Sequence, residues 1–412
     1  SKCRGFKKEM TYFDKMPKRW ETNSIKWNKA EIENFSSNRD ARPFWVADMD
    51  FYSAPQIIKK AEEVAHSGVY GYPSFSNLIS IFKEWLERKH SWVVDEDNIA
   101  FSMGLLHGLA LSIDVFTKEG DGIIIPTPCY RPFRELCSLS NRKIIELPLS
   151  YDKETSSFSL PLDKLEEKAK SAKMIIFCSP HNPTGIVFKE NELKEVLNIA
   201  KKNSFVVISD EIHGDLVHPG SIHIPIGKAN ESVEAKCITF MAPSKTFNIA
   251  GEHSAFAIFS DKETKDKWTK KEKALWLTEP GYFVGEMIST SYTSCDEYNR
   301  ELCKYLKDNY DYMSSFFEEN KLGIKVVKSN ASFVAFLDCT ELYAKIKTMK
   351  EKSENDDMLL SHFFGKYASV AVNDGTWFGE EYYTFVRFNY GTNREEIKSA
   401  LERIKKAIES LQ

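Results

Sequence analysis

Lys245 lies in the segment Ala242-Pro-Ser-Lys-Thr-Phe-Asn-Ile-Ala-Gly251, directly after the apolar run Cys237 to Met241. A lysine is ordinarily a surface charge. One that leaves a buried strand among small residues is desolvated, which lowers its pKa and lets the free amine form a Schiff base. Asp210 follows a second apolar run, in Ser209-Asp-Glu-Ile-His213. An acid at the end of a buried strand is costly unless paired; an arginine, a helix N-terminus or a protonated pyridine nitrogen would each serve. Asn182 is presented by Ser179-Pro-His-Asn-Pro-Thr-Gly185, where two prolines and a glycine make a rigid turn. By itself that segment reads equally well as a tight loop with an Asx turn. Ser102-Met-Gly-Leu-Leu-His-Gly108 opens a helix whose unpaired N–H groups suit a phosphate, although glycine-bearing helix starts are common.

The elements that must position these residues are short, continuously apolar runs: Gly122 to Pro126, Met174 to Cys178, Phe205 to Ser209, Cys237 to Met241 and Ala255 to Phe259. Runs of this kind are strands buried on both faces. Helical stretches between them, such as Glu190 to Lys202 with its stripe of Leu193, Val196, Leu197 and Ala200, predict an α/β fold with a largely parallel sheet. Chemistry at strand ends is where open α/β sheets bind ligands.

The C-terminal part changes character. Strands are expected at Ile324 to Val327, Phe333 to Leu337, Ser369 to Val372 and Tyr383 to Phe388, with a helix near Asp356 to Tyr367. Ile397, Leu401, Ile404, Ile408 and Leu411 mark a final amphipathic helix, with Thr392 and Glu395 as its capping box. We expect a large domain over 51–290, a smaller α+β domain over 291–412, and an N-terminal segment, 1–50, packing with the smaller domain.

Bulk composition narrows the function. With 412 residues, 42% hydrophobic and 28% charged, the chain can bury a large core without disulfides or structural metal. A net charge of −4 from 56 basic and 60 acidic residues argues against nucleic acid, which needs a concentrated basic face. The Lys-rich stretch Lys262 to Lys273 also carries acids and reads as a solvated helix face. The eight cysteines form no C-x-x-C pair and no zinc spacing, so they are expected as buried free thiols in a reducing compartment, with no metal site. No run reaches the roughly 18 apolar residues of a membrane span, and the N-terminal residues have no signal-peptide core. The expectation is a cytoplasmic protein that does not engage membranes.

Taken in their order and spacing, the segments resemble the fold-type I pyridoxal-5′-phosphate enzymes, the aspartate-aminotransferase-like superfamily. Within it they look most like the cystathionine β-lyase/C–S lyase (MalY/PatB-like) branch. The resembling segments are Trp45-Val-Ala-Asp-Met-Asp-Phe51, Tyr70-Gly-Tyr72, the Asn182 turn, Ser209 to Leu216 and the Lys245 segment, and the likeness runs from about Trp45 to the last helix. The resemblance implies that Lys245 holds the cofactor as a Schiff base, Asp210 pairs with its pyridine nitrogen, and Asn182 bonds its phenolic oxygen. It also implies that Tyr130 stacks on the ring, where the residue alone reads equally as a core aromatic. Gly104, Leu105, Leu106 and the Ser244 hydroxyl would cradle the phosphate. Arg387 would clamp the substrate carboxylate with a bidentate fork; by itself it reads equally as a surface arginine on an edge strand. Ala47 would border the substrate. Tyr72 would reach into the neighbouring subunit's site, which implies a homodimer. Three positions depart from familiar patterns. His253 stands where many aminotransferases have a phosphate-binding arginine. His213 stands where they often have a tyrosine, and is either a cofactor contact or a structural histidine. Asn389-Tyr-Gly-Thr-Asn393 replaces the branch's common Asn-x-Ala-x-Pro.

The resemblance further implies a chemistry. An amino-acid substrate displaces Lys245, the freed amine takes the α-proton, and the cofactor drains the carbanion. A thiolate on the β-carbon then leaves, and the remainder hydrolyses to pyruvate and ammonia, as for cystathionine or other cysteine S-conjugates. An aminotransferase shares every step up to the carbanion and is the rival reading. A cofactor-binding regulator without turnover is a more distant one.

Overall fold

The computed structural model describes residues 10–348 and 359–411. Its strands, in chain order, are β1 (Arg42–Pro43), β2 (Ile99–Ser102), β3 (Gly122–Thr127), β4 (Lys143–Pro148), β5 (Ser150–Asp152), β6 (Ser157–Ser159), β7 (Ala172–Cys178), β8 (Val206–Asp210), β9 (Cys237–Met241) and β10 (Ala255–Phe259). They continue with β11 (Lys325–Val326), β12 (Val334–Asp338), β13 (Val370–Ala371), β14 (Asn373–Asp374) and β15 (Phe385–Asn389).

The central sheet has seven strands in the order β2-β10-β9-β8-β7-β3-β4. The pairs from β9 through β4 are parallel, whereas β10 runs antiparallel to both β9 and β2. All five apolar runs are therefore strands of one sheet. Their apolar continuity has a direct cause, because both faces are covered. Ile175, Phe177 and Val207 point to one side, against Leu193, Val196 and Leu197 of the helix Glu190–Asn203. Met174, Ile176 and Ile208 point to the other, with Leu109, Phe240 and Trp268. The period of two is present but masked, since neither face meets water. Trp268 is the buried face of the Lys-rich helix Lys262–Ala274, whose lysines otherwise face solvent.

The C-terminal strands form an antiparallel sheet, β11-β12-β15-β14. Of the first expected strand only Lys325–Val326 pairs, the second is shifted by one residue to Val334–Asp338, and Phe385–Asn389 replaces Tyr383 to Phe388, because Tyr383 closes a short turn. Of Ser369 to Val372, only β13 pairs, in parallel with β1 near the N-terminus. The expected helix near Asp356 is described over Leu359–Ala368; its expected start lies outside the described residues. The last helix, Arg394–Glu409, buries Ile397, Leu401, Ile404 and Ile408 as expected. Its cap differs: the Asn393 side chain accepts the Glu396 N–H at 2.9 Å, so the helix starts one residue later than a Thr392 cap requires. Thr392 is instead buried beside the Met16 sulfur. The seven described cysteines are free and buried; Cys3 lies outside the described residues.

Two local features set the site's frame. Gly185, in the Asn182 turn, has φ +74°, and an added Cβ would lie 1.8 Å from Ser329 Oγ, so the turn packs closer than any side chain allows. The segment Trp45 to Asp50 is pinned from the N-terminal side. Asp48 pairs with Arg19 at 2.7 Å, and the buried Asp50 pairs with Lys26 and Arg19, each at 2.8 Å.

Candidate active site

The strand ends converge on a cavity of about 220 Å³ lined by Ala47, Tyr130, Asn182, Asp210, His213 and Lys245; Gly104, Leu105, Leu106 and Ser244 border it as well. Asn182, Asp210 and Lys245 meet here because β9, β8 and β7 are adjacent and parallel, which places their C-terminal ends side by side.

Lys245 sits in the short helix Pro243–Thr246 that follows β9, and its Nζ donates to the Ala47 carbonyl. Burial pushes its pKa down to about 8, with Asp48 opposing and Arg387 assisting. Asp210 ends β8 and is 3% exposed. Its Oδ1 accepts the Ile212 N–H at 3.0 Å, yet burial still lifts its pKa to about 7. The two acids nearby have partners on both oxygens. Glu211 lies 2.7 Å from His223 Nε2 and also accepts from Ser209 and the Ile226 N–H. Asp215 lies 2.6 Å from His90 Nε2 and accepts from Trp85 and Thr246. Among the described residues, Asp210 alone of the three has a carboxylate oxygen without a partner, and it borders the cavity. A buried acid left this way is poised for a cationic ligand.

At another part of the wall, the helix Leu105–Phe116 begins after Gly104, whose φ is +152°. Gly108 is the first residue whose N–H closes a helical bond, to Gly104 at 3.0 Å, which leaves the N–H groups of Leu105, Leu106 and His107 free of helical partners. The buried Ser254 hydroxyl in the same wall has no partner among the described residues. His253 also borders the cavity, beside Gly104, and among the described residues no arginine does.

Arg387 lies behind Asn182. It is not on an edge: β15 is flanked by β12 and β14, and the side chain is buried. Its Nη1 donates to Asn182 Oδ1 at 3.1 Å, and its Nη2 donates to the Trp45 carbonyl at 3.2 Å and to Asn373 Oδ1 at 3.0 Å. Nε is buried without a partner among the described residues. Burial pushes the guanidinium down to about 10, with Tyr130 opposing. No carboxylate pairs with it among the described residues, so the fork is held in place and is still short of an anion. Tyr130 caps the helix Arg131–Leu139, and burial raises its pKa. His213 reads both ways at once: its Nδ1 lies 2.9 Å from Ser332 Oγ while the ring lines the cavity. Tyr72 is fully exposed and does not border the cavity of its own chain.

Sequence reasoning missed Trp45, Asn373, Ser254 and Ser332. Trp45 opens one of the resembling segments, and Ser254, Ser332 and Asn373 flank expected strands, but serine, asparagine and tryptophan at such places carry no chemical signal of their own. Asn389 and Tyr390 lie in the Asn389-Tyr-Gly-Thr-Asn393 segment after Arg387, whose departures from the branch pattern are Gly391 and Asn393. Asn389 Nδ2 holds the Val46 and Asp48 carbonyls, both at 2.7 Å, which shapes the loop that carries Ala47.

The mostly parallel seven-stranded sheet, flanked by helices and with its cavity at the strand ends, is an aspartate-aminotransferase-like fold. The chain belongs to the aminotransferase class I and II family, which it matches over residues 46–404. It is 29% identical to cystathionine β-lyase PatB of Bacillus subtilis, over 96% of this chain and 99% of that protein. It is 32% identical to a cystathionine β-lyase of Corynebacterium glutamicum, over 89% of this chain and 93% of that one. Among solved structures, cystalysin from Treponema denticola, which contains pyridoxal 5′-phosphate, superposes with a TM-score of 0.88 at 29% identity, covering 98% of this chain and all of that one.

Proposed function

We propose that this protein is a pyridoxal-phosphate-dependent C–S lyase that cleaves cystathionine or other cysteine S-conjugates by α,β-elimination, giving a thiol, pyruvate and ammonia. The observation that carries the cofactor assignment is the contrast among the three acids at the end of β8, where Asp210 alone is left unpaired and faces the same cavity as Lys245. The residues present fit the group. The free N–H groups of Leu105 and Leu106, with Ser244 and the unpartnered Ser254 hydroxyl, suit a phosphate monoester. Asp210 suits a protonated ring nitrogen. Bound there, the cofactor supplies an electron sink for a carbanion at the substrate's α-carbon.

The chain's own residues do the rest. Burial lowers the Lys245 pKa to about 8, so more of its amine is unprotonated near neutrality and is suited to carry the α-proton. Arg387 holds the substrate carboxylate, using donors now spent on Asn182 and Asn373 or left idle. Tyr130 and Asn182 close the cavity walls. That the relatives similar over nearly the full chain include proteins named cystathionine β-lyase supports elimination over amino transfer. The test is product analysis: the purified protein, given cystathionine and no keto acid, should release pyruvate catalytically. Turnover that requires an added keto acid would establish an aminotransferase instead.

This reading extends to a homodimer in which Tyr72 completes the partner's site, to a cytoplasmic location, and to domain limits near residues 50 and 290. The exposure of Tyr72 and of its neighbours Val69 and Tyr70 supports the first. Among the described residues, no helix is long and apolar enough to cross a membrane.

A further inference from the structure

His213 lines the cavity, yet a histidine can present either a proton or a lone pair. Which one it presents is set by whatever holds the other nitrogen. Ser332 Oγ lies 2.9 Å from His213 Nδ1, and both residues are buried. No other partner of that hydroxyl is found among the described residues. If Oγ accepted a proton from Nδ1–H, its own hydrogen would be left buried and unbonded, at a cost comparable to a lost hydrogen bond. The satisfied arrangement has Ser332 donating to a bare Nδ1, which leaves the ring proton on Nε2. Burial holds this imidazole neutral, with its pKa pushed down to about 3, so the ring does not carry protons on both nitrogens.

The backbone around Ser332 is built to hold that hydroxyl. The residue has φ +75°, in the left-handed region. Its N–H donates to the Leu216 carbonyl at 2.8 Å, and its own carbonyl accepts from the Tyr390 hydroxyl at 2.8 Å. Tyr390 is fully buried and follows Asn389, which shapes the Ala47 loop. One strand end thus fixes Arg387, the Ala47 loop and, through Tyr390 and Ser332, the orientation of His213.

We propose that Ser332 is a positioning residue that fixes His213 with its proton on Nε2, so that the cavity receives a hydrogen-bond donor at this wall. The use of that donor on an anionic oxygen of the bound cofactor rests on the proposed function; the tautomer does not. The decisive measurement is long-range ¹H–¹⁵N correlation on ¹⁵N-histidine-labelled full-length protein, with His213 assigned by the signal missing from His213→Gln. The wild type should show Nε2 protonated and Nδ1 bare. Ser332→Ala, and Ser332→Gly, which relieves the left-handed strain and keeps the fold, should shift His213 toward a mixture. The reverse pattern in the wild type, or no change in either variant, overturns the proposal. Pyridoxal-phosphate affinity gives a second readout. Each Ser332 variant should bind about ten- to a hundredfold more weakly, the range for losing one hydrogen bond to a charged group. In the His213→Gln background, the same substitutions should cost nothing further; additive losses would show that Ser332 acts by another route. Failure of the wild type to bind pyridoxal phosphate would overturn the proposed function and leave the tautomer result standing.

Discussion

Asp210→Asn should make the cofactor-free protein more stable at pH 8, although it damages the site. Asp210 is buried with one oxygen unpaired, and its pKa is lifted to about 7 from an ordinary 3.8. A carboxyl whose pKa is raised on folding binds its proton more tightly in the native state. Its contribution is therefore fully present below the unfolded value near 4 and is lost as the pH rises to about 7. A shift of about three units corresponds to roughly 4 kcal/mol, an upper limit for the stability forgone once Asp210 ionises. Asparagine has nearly the same shape and no charge to desolvate. Urea unfolding of cofactor-free wild type and Asp210→Asn should give similar stabilities at pH 4. At pH 8 the variant should be more stable by about 1–4 kcal/mol. In the presence of pyridoxal phosphate the order should reverse, since the amide cannot pair with a ring cation as a carboxylate does. If Asp210→Asn is neutral or destabilising at pH 8 without cofactor, Asp210 has a partner in the folded protein and is not reserved for a ligand.

Three further outcomes are expected. Lys245→Ala should abolish pyruvate release and covalent retention of cofactor, checked by mass spectrometry after borohydride reduction; a reduced adduct on another lysine would refute the assignment. Hybrids of Tyr72→Phe and Lys245→Ala subunits should recover activity, because one site then carries both defects and the other carries neither. An absence of recovery in verified heterodimers would place Tyr72 outside the partner's site. Asp50→Ala should cost about 3–5 kcal/mol in urea unfolding by leaving the buried Lys26 charge uncompensated, whereas the paired change Asp50→Leu with Lys26→Met should cost much less; equal losses would mean that the cost comes from the bonds of Asp50 to Arg19 and Trp27 and not from an uncompensated Lys26.

The large sheet was legible because a strand buried on both faces must be apolar at every position, and five such runs interrupted by amphipathic helices admit few other arrangements. The ends of those runs marked Asn182, Asp210 and Lys245, since a polar residue directly after a buried strand stands out against the apolar text. Pattern faded where structure rests on few pairs. β1 and β13 are two residues each and join segments more than three hundred residues apart, and no local signal encodes such a bridge. The cap of the last helix shifted by one residue because Thr392 and Asn393 are both good caps, and the burial of Thr392 beside Met16 decided between them.

The chemical character of the site was likewise divided. Residue type and order along the chain determined that a lysine, an acid and a helix N-terminus would meet at strand ends. Only the tertiary structure decided which acid is free, because the pairing of Glu211 with His223 and of Asp215 with His90 depends on side chains arriving from elsewhere. It also moved Arg387 from a possible surface position to a buried one beside Asn182, and recruited Ser332 to His213 across 119 residues. Burial and pairing are properties of what surrounds a side chain, and for these residues the surroundings are supplied by distant parts of the chain.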